Sequence, residues 1–494
     1  MKDPSRVRYF NCLNAPDRIP VHQVALILFV AVIGLCSTHR AANAAERPNV
    51  VVILADDMGY GDPGCYNSES QCVTPHIDAL AQAGMRFTDA HSAGGVCVPS
   101  RYGLMTGRYP FRKNLNWRRE PVIREGRTTI ASLMKSAGYT TQMVGKWHLG
   151  FADGPDYDYA KPLAGGPVDR GFDGFFGMHA SLDIPPYFYM RGQDPTAPPT
   201  EDVGASNTPG WSPIQGAFWR EGKIGADFKH DEELDRFAAE ATQFLAQQNG
   251  EQPFMLYLAL PAPHTPWLPA EKFRGIGQAG LYSEFVAHVD DVVGRITQQL
   301  EASKLADNTV VVFSSDNGPV WYDSDEERFG HRSCGPFRGM KGDAWEGGHR
   351  VPFLVRWPGK VAAKSQSDHL IGFVDLLATL RDIVDVEIPA GDAEDSVSFY
   401  STLTGTAKTS PRKVMLQHHT PTVIRDGHWK LISHLGSGGF SQPRKEKPEP
   451  DGPQGQLYDL HTDPGETTNL WLKYPERVDA MLKMLKQISS GSQP

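Results

Sequence analysis

The chain has 494 residues, 40% hydrophobic and 22% charged, an ordinary globular composition with enough length to bury a large core and to favour more than one domain. Its 58 acidic against 49 basic side chains give a net charge of -9, and with Lys and Arg spread along the chain, nucleic-acid binding finds no support. The acidic total leaves anionic small substrates open, because a few local cations outweigh a distant net charge.

Residues 24–36 are continuously apolar but too short for a comfortable membrane span. Arg6, Arg8 and Arg18 precede them, and Ala42-Asn43-Ala44 follows as a small-residue cleavage motif. This pattern predicts a secretory signal peptide over residues 1–44, with cleavage and export to the periplasm or beyond. An uncleaved anchor or a lipoprotein signal is the alternative, although Leu35 before Cys36 suits the latter poorly. Cleavage removes Cys12 and Cys36 and leaves Cys65, Cys72, Cys97 and Cys334. Cys65 and Cys72 are close enough for a local disulfide in an exported protein, which spacing alone does not establish.

The run 49–55 is rich in β-branched residues and reads as a buried strand of a parallel sheet, ending in Asp56-Asp57. Thr74-Pro75 opens a helix that Gly84 ends, with Thr74 as its N-cap. Pro99 suits the first turn of another helix, which places Cys97 at the N-terminus of that helix and Arg101 one turn on, on the same face. A helix over 129–135 and a strand over 139–144 lead into Gly145-Lys146-Trp147-His148-Leu149-Gly150. Residues 154–229, rich in Gly, Pro and aromatics, read as long surface loops with little regular structure, the kind that serve a site. An amphipathic helix follows over 232–247, then an apolar strand over 254–260 with His264 among prolines behind it, and a long helix over 283–303. A second apolar strand, 309–315, ends in Asp316-Asn317-Gly318. A strand over 351–357 and a helix over 374–384 come next. The tail changes to short strands near 414–418, 423–425, 429–433 and 456–459, closed by a helix over 475–488.

The expected architecture is therefore α/β. A large, mostly parallel central sheet flanked by helices spans residues 46–405, and a small antiparallel α+β subdomain spans 406–494. The polar motifs follow strand ends, where open α/β sheets place their ligands.

Asp56, Asp57, Asp316 and Asn317 offer only hard oxygen donors, which suit Ca²⁺ or Mg²⁺ better than zinc or copper. Either pair alone is as well read as a turn or helix cap. Lys146 and His148 alternate in an extended segment and are expected on one face. Lys341 lies in Arg338-Gly339-Met340-Lys341-Gly342, where backbone can approach a ligand. Each of these residues alone is also read as an ordinary polar loop residue, and Cys97 alone as a buried core thiol.

Taken in order, the motifs resemble those of the type I, formylglycine-dependent sulfatases of the alkaline phosphatase superfamily. The resemblance runs through Asp56-Asp57, Cys97-Val98-Pro99-Ser100-Arg101, Gly145 to Gly150, His264, Asp316-Asn317-Gly318, Lys341 and Trp345-Glu346-Gly347-Gly348-His349-Arg350. It is similar to bacterial arylsulfatases and to lysosomal enzymes acting on sulfated sugars, and it extends from about residue 49 to the end. Ser181 and Asp183 resemble a substrate-side segment of that family. The resemblance implies a cysteine oxidised to formylglycine at Cys97 by a maturation enzyme, and one divalent cation, calcium rather than magnesium, on Asp56, Asp57, Asp316 and Asn317. It further implies that Arg101 orients the hydrated aldehyde, that Lys146 and Lys341 bind sulfate oxygens, that His264 protonates the leaving alcohol, and that His148 takes the proton that returns the aldehyde. The implied function is hydrolysis of sulfate monoesters by an exported enzyme, with a sulfated small molecule or glycan as substrate and no stable membrane span. A phosphate ester hydrolase of the same superfamily and a non-catalytic binder of sulfated glycans are the alternatives.

Overall fold

The computed structural model describes residues 47–491 except 119, 155 and 419; the segment expected to be a signal peptide lies outside the described residues. The central strand is β1 (Asn49–Asp56), buried along its whole length. Between Asn49 and Asp56 it is apolar at every position because both faces are covered. Val50, Val52 and Leu54 enter one apolar cluster, while Val51, Ile53 and Ala55 enter the other. The remaining strands of its sheet are β2 (Met85–Phe87), β3 (Thr140–Lys146), β4 (Gly174–Met178), β5 (Tyr189–Arg191), β6 (Asp194–Pro195), β7 (Phe254–Pro263), β8 (Thr309–Ser315), β9 (Phe353–Arg356) and β10 (Ser365–Ser367).

Their order across the sheet is β10-β2-β9-β8-β1-β7-β3-β4-β5-β6. The five middle strands, β8-β1-β7-β3-β4, are mutually parallel. The sheet turns antiparallel at β9 and β2 on one side and at β5 and β6 on the other. It is thus mixed, parallel at its centre. In register, Val50 lies between Met255 and Val310, so the C-terminal ends of β1, β3, β7 and β8 gather at one edge.

Of the helices, α1 (Pro75–Gln82) and α2 (Cys97–Thr106) lie on opposite faces, as do the later α3 (Ile130–Ser136), α4 (Glu233–Ala246), α5 (Gly280–Ala302) and α6 (Leu376–Val384). Apolar residues of α1, α4 and α5 pack with Val51 and Ile53, and those of α2, α3 and α6 with Val50 and Val52. Thr74 precedes α1 but does not cap it by its side chain; its hydroxyl accepts from Gly64 N at 2.9 Å instead. Toward the C-terminus, β11 (Val414–Leu416), β12 (Val423–Asp426), β13 (Trp429–Ile432) and β14 (Gln456–Asp459) form an antiparallel meander, closed by α7 (Pro475–Ser489). Ile424, Leu431 and Leu457 share an apolar cluster with Met105 and Leu377.

Residues 154–229 depart from the expected loops. They contribute β4, β5 and β6 to the central sheet and a further two-stranded sheet of Glu201–Val203 with Gly222–Ile224. Phe175, Phe176, Tyr187, Phe188 and Tyr189 are buried, so the aromatics there fill the core. Cys65 and Cys72 are both free thiols. Among the described residues no helix is long and apolar enough to cross a membrane.

Candidate active site

Two strand ends build the floor of the site. Where β1 stops, Asp57 takes a left-handed φ of 64°, a conformation that Asp tolerates better than most residues. That turn is tied to the end of β8. Asp57 N donates to Asp316 Oδ1 at 3.3 Å, and Met58 N donates to Ser315 Oγ at 2.9 Å. Asn317 Nδ2 donates to Asp57 Oδ1 at 2.6 Å. Behind them, buried Asp62 accepts from Gly59 N at 2.6 Å, Tyr282 Oη at 2.5 Å and His331 Nε2 at 2.8 Å. The Tyr282 hydroxyl also lies 3.2 Å from Asp57 O.

Cys97 is the first residue of α2, after an extended Val96 with no side-chain cap. The positive end of the helix therefore sits at residue 97. The thiol donates to Asp56 Oδ1 at 3.5 Å. Burial, helped by Asp56, pushes its pKa up to about 12 despite Lys146 and Lys341 nearby. At neutral pH it is a thiol, and so a poor nucleophile in this form.

Cations and carboxylates alternate around it. Lys146, at the end of β3, is fully buried; its ammonium pairs with Asp56 and lies 3.6 Å from Cys97 Sγ and 3.2 Å from Ser181 Oγ. Lys341 pairs with Asp57 Oδ1 at 2.6 Å and also lies 3.6 Å from Cys97 Sγ. Arg101 Nε donates to Asp316 Oδ2 at 3.0 Å, and its Nη2 lies 3.3 Å from Asp56 Oδ2. Burial opposes the Asp56 charge, yet Lys146, His264, Arg101 and Lys341 together hold its carboxyl well below the usual range. Asp316 fares differently: burial and the neighbouring Asp56 push it up to about 6.

The donor set fits a hard cation. Asp56, Asp57, Asp316 and Asn317 present oxygens from two adjacent strand ends. Asn317 Oδ1 is buried with no hydrogen-bond partner among the described residues, and so is open to a cation. Asp56, Asp57, Cys97 and His264 offer ligand atoms all within 4.8 Å of one another. Carboxylate and amide oxygens in this arrangement suit Ca²⁺ or Mg²⁺.

Lys146 and His148 do not reach the site by strand alternation. Gly145 has a φ of 109° and His148 a φ of 53°, so the chain leaves the pleat between them. His148 meets Trp117 edge to face, ring centroids 4.4 Å apart. Both its ring nitrogens are buried without a hydrogen-bond partner among the described residues. Burial, then Lys146 and Arg101, hold it well below the usual histidine value, so it is neutral at pH 7. His264 donates from Nδ1 to Thr265 O at 2.6 Å and turns Nε2 toward Asp57 Oδ2, 3.7 Å away.

The other nine residues expected at the site lie around Cys97. Ser181 joins them through Lys146. Asp183 lines a cavity of about 130 Å³ that also touches Asp57, His264 and Lys341. Arg220, Gln215 and Trp267 line the same cavity and were missed. Arg220 pairs with Asp183 at 2.5 Å. Its one sequence signal is a cation within an otherwise Gly-, Pro- and aromatic-rich stretch.

Comparison with known proteins identifies the family. The family model described as Sulfatase matches residues 48–386. An N-acetylgalactosamine-6-O-sulfatase of Bacteroides thetaiotaomicron is 32% identical over 483 residues, covering 90% of this chain and 94% of that protein. A human N-acetylgalactosamine-6-sulfatase is 33% identical, covering 74% of this chain and 67% of that protein. A solved B. thetaiotaomicron structure, from work on the metabolism of multiple glycosaminoglycans, superposes with a TM-score of 0.78 at 30% identity, over 90% of this chain and 100% of that one. With two thirds of its length inside the family model and relatives this similar over most of the rest, the chain belongs to the sulfatase family, enzymes that hydrolyse sulfate esters.

Proposed function

We propose that the protein is an exported, calcium-dependent sulfatase that desulfates carbohydrates through a formylglycine made from Cys97 by a maturation enzyme. The observation that carries this reading is the pair of ammonium groups, Lys146 and Lys341, each 3.6 Å from Cys97 Sγ. They form a cradle for a tetrahedral anion at residue 97, where a phosphate ester hydrolase of the same superfamily would carry further Asp and His ligands for a second metal. Burial pushes the Cys97 thiol up to about 12, which makes it a poor nucleophile that conversion to formylglycine would replace.

Formylglycine supplies an aldehyde carbon in place of that thiol, and Ca²⁺ on Asp56, Asp57, Asp316 and Asn317 supplies charge neutralisation at the sulfate. Lys146 and Lys341 bind sulfate oxygens in a dry site, where such contacts are strongest. Arg101, fixed by Asp316, orients the group at residue 97. His264 keeps its Nδ1 proton on Thr265 O and lines the cavity of about 130 Å³, placed to protonate the leaving alcohol. His148, neutral and with no hydrogen-bond partner on either ring nitrogen among the described residues, is set to take a proton at residue 97.

A carbohydrate substrate is supported by relatives whose names specify N-acetylgalactosamine 6-sulfate and by the polar pair Asp183–Arg220 in a cavity that also holds Trp267. The test is turnover by matured protein of N-acetylgalactosamine 6-sulfate, of other sulfated sugars and of 4-nitrophenyl sulfate. Release of sulfate from a sugar supports the reading. Turnover of the aryl ester alone refutes the carbohydrate assignment, and faster turnover of the matching phosphate ester refutes sulfate specificity.

A further inference from the structure

Lys341 stands on a tight turn. Asp343 N donates to Met340 O at 3.0 Å, and Gly342 between them takes a φ of 84°, the left-handed value that glycine supplies at the third residue of a turn. Two bonds tie this turn to the site. Lys341 N donates to Pro319 O at 2.8 Å, just beyond Asn317, and Gly342 N donates to Gly95 O at 2.6 Å, just before Cys97. The turn also rests on residues 437–441, in the connection between β13 and β14 of the C-terminal meander. Gly439 packs so closely there that a Cβ would stand 2.1 Å from Gly342 C, and Ala344 N donates to Ser437 O at 2.7 Å. Asp343 joins the two segments. Its side chain is fully buried; Oδ2 accepts from Met340 N at 2.9 Å within the turn, and Oδ1 accepts from Ser441 N at 3.1 Å across the gap. On the far side Ser437 Oγ donates to Ser441 O at 2.7 Å and accepts from Gly439 N at 3.1 Å.

Burying a carboxylate is costly unless it is hydrogen-bonded, and the reaction described above makes no use of this one. What it offers that an asparagine or serine would not is acceptors on both oxygens, each facing a backbone N–H of a different segment. We propose that Asp343 is a positioning residue for Lys341: by holding the 340–343 turn against residues 437–441 it fixes the ammonium 3.6 Å from Cys97 Sγ, and through it the C-terminal meander takes part in turnover. The proposal rests on the sulfate-binding role given to Lys341 above. A compact charge on a flexible four-carbon stem is delivered accurately only when its Cα is fixed, and a displacement of about 1 Å at a reacting group costs up to about a hundredfold in rate. With the Pro319 and Gly95 bonds still in place, loosening one bond of Asp343 is expected to cost about tenfold.

The test is a double-mutant cycle in kcat/KM on 4-nitrophenyl sulfate, expressed per formylglycine content, with folding checked by thermal melting. Lys341→Met alone is expected to lose about a hundredfold or more. Asp343→Asn sets an amide against one of the two N–H donors; it is expected to lose about tenfold in the wild-type background and less than about twofold when Lys341→Met is already present. The inhibition constant of inorganic sulfate should weaken in the same pattern, which a purely structural role would not produce. Ser437→Ala, a milder change on the meander side, is expected to repeat the pattern with a smaller loss, and it carries the test if Asp343→Asn does not fold. Unchanged kcat/KM in both variants, or a loss as large with Lys341→Met as without it, overturns the positioning role and leaves the sulfatase reading intact. Full activity in Lys341→Met overturns the sulfate-binding role of Lys341 and this proposal with it.

Discussion

Lys146→Met separates two roles that the same ammonium plays. The side chain is fully buried, and its charge faces Asp56 on one side and Cys97 Sγ, 3.6 Å away, on the other. Removing it leaves a buried carboxylate short of a partner, which typically costs about 3–5 kcal/mol. Asp56 keeps Arg101 Nη2 at 3.3 Å, so the loss is expected near the low end, about 3 kcal/mol. The same change removes one donor to the sulfate, worth roughly 10²–10³ in kcat for a preorganised site. Adding Asp56→Asn tells the two apart. In chelator, the double variant has no stranded charge and regains most of the lost stability, yet it stays inactive because the donor is still missing and a metal ligand is lost. Urea unfolding with an unchanged m-value and sulfate release are the two assays. If Lys146→Met retains more than a tenth of wild-type kcat/KM, the ammonium does not hold the transferring sulfate. If the double variant is no more stable than the single one, Asp56 was not the group left stranded.

Removing the divalent ion with a chelator should abolish sulfate release, and Ca²⁺ should restore it. Saturating Ca²⁺ at about 100 times its Kd should raise stability by about 2.7 kcal/mol, an increment that Asn317→Ala reduces. Asp62→Asn puts an amide among three donors, Gly59 N, Tyr282 Oη and His331 Nε2; a loss of roughly 1–3 kcal/mol is expected in urea, with weaker Ca²⁺ binding because the Asp57 turn loosens. His288 is buried against Phe273, ring centroids 4.5 Å apart, and burial lowers its pKa to about 4. A depressed folded pKa contributes stability that is complete above the unfolded value near 6.5 and is lost as pH falls through 4. Melting curves between pH 7 and pH 4 should therefore fall more steeply for the wild type than for His288→Gln, the difference reaching up to about 3 kcal/mol. A shallower wild-type curve would contradict the assignment.

The layers of the fold were legible where burial is two-sided. Residues 50–55 and 310–313 are continuously apolar because helices cover both faces of the sheet, the environment a buried parallel strand sits in. The start of α2 was legible from Pro99, and the cluster of carboxylate and amide oxygens from its place behind apolar strands. The strands within 174–195 were not. Gly174 and Gly177 sit among aromatics there because the neighbouring strand comes close: a Cβ at Gly177 would stand 1.9 Å from Gly145 O. Glycine read as loop composition was close packing. The side-chain directions at Lys146 and His148 failed for a related reason, since two left-handed residues interrupt an otherwise extended segment. Arg220 and Trp267 escaped notice because their meeting with Asp183 is set by tertiary packing, and no local pattern records it. The pairing of Cys65 with Cys72, open on spacing, is absent in the fold, where Cys72 Sγ lies 3.6 Å from His331 Nε2 instead.

Mass spectrometry of the peptide containing residue 97, read alongside sulfate release on the same sample, tests the central claim most directly. Protein co-produced with a formylglycine-generating enzyme should yield a peptide that has lost its sulfur and gained an aldehyde, and activity should rise in proportion to that fraction. Full turnover by protein whose Cys97 remains an unmodified thiol would contradict the account.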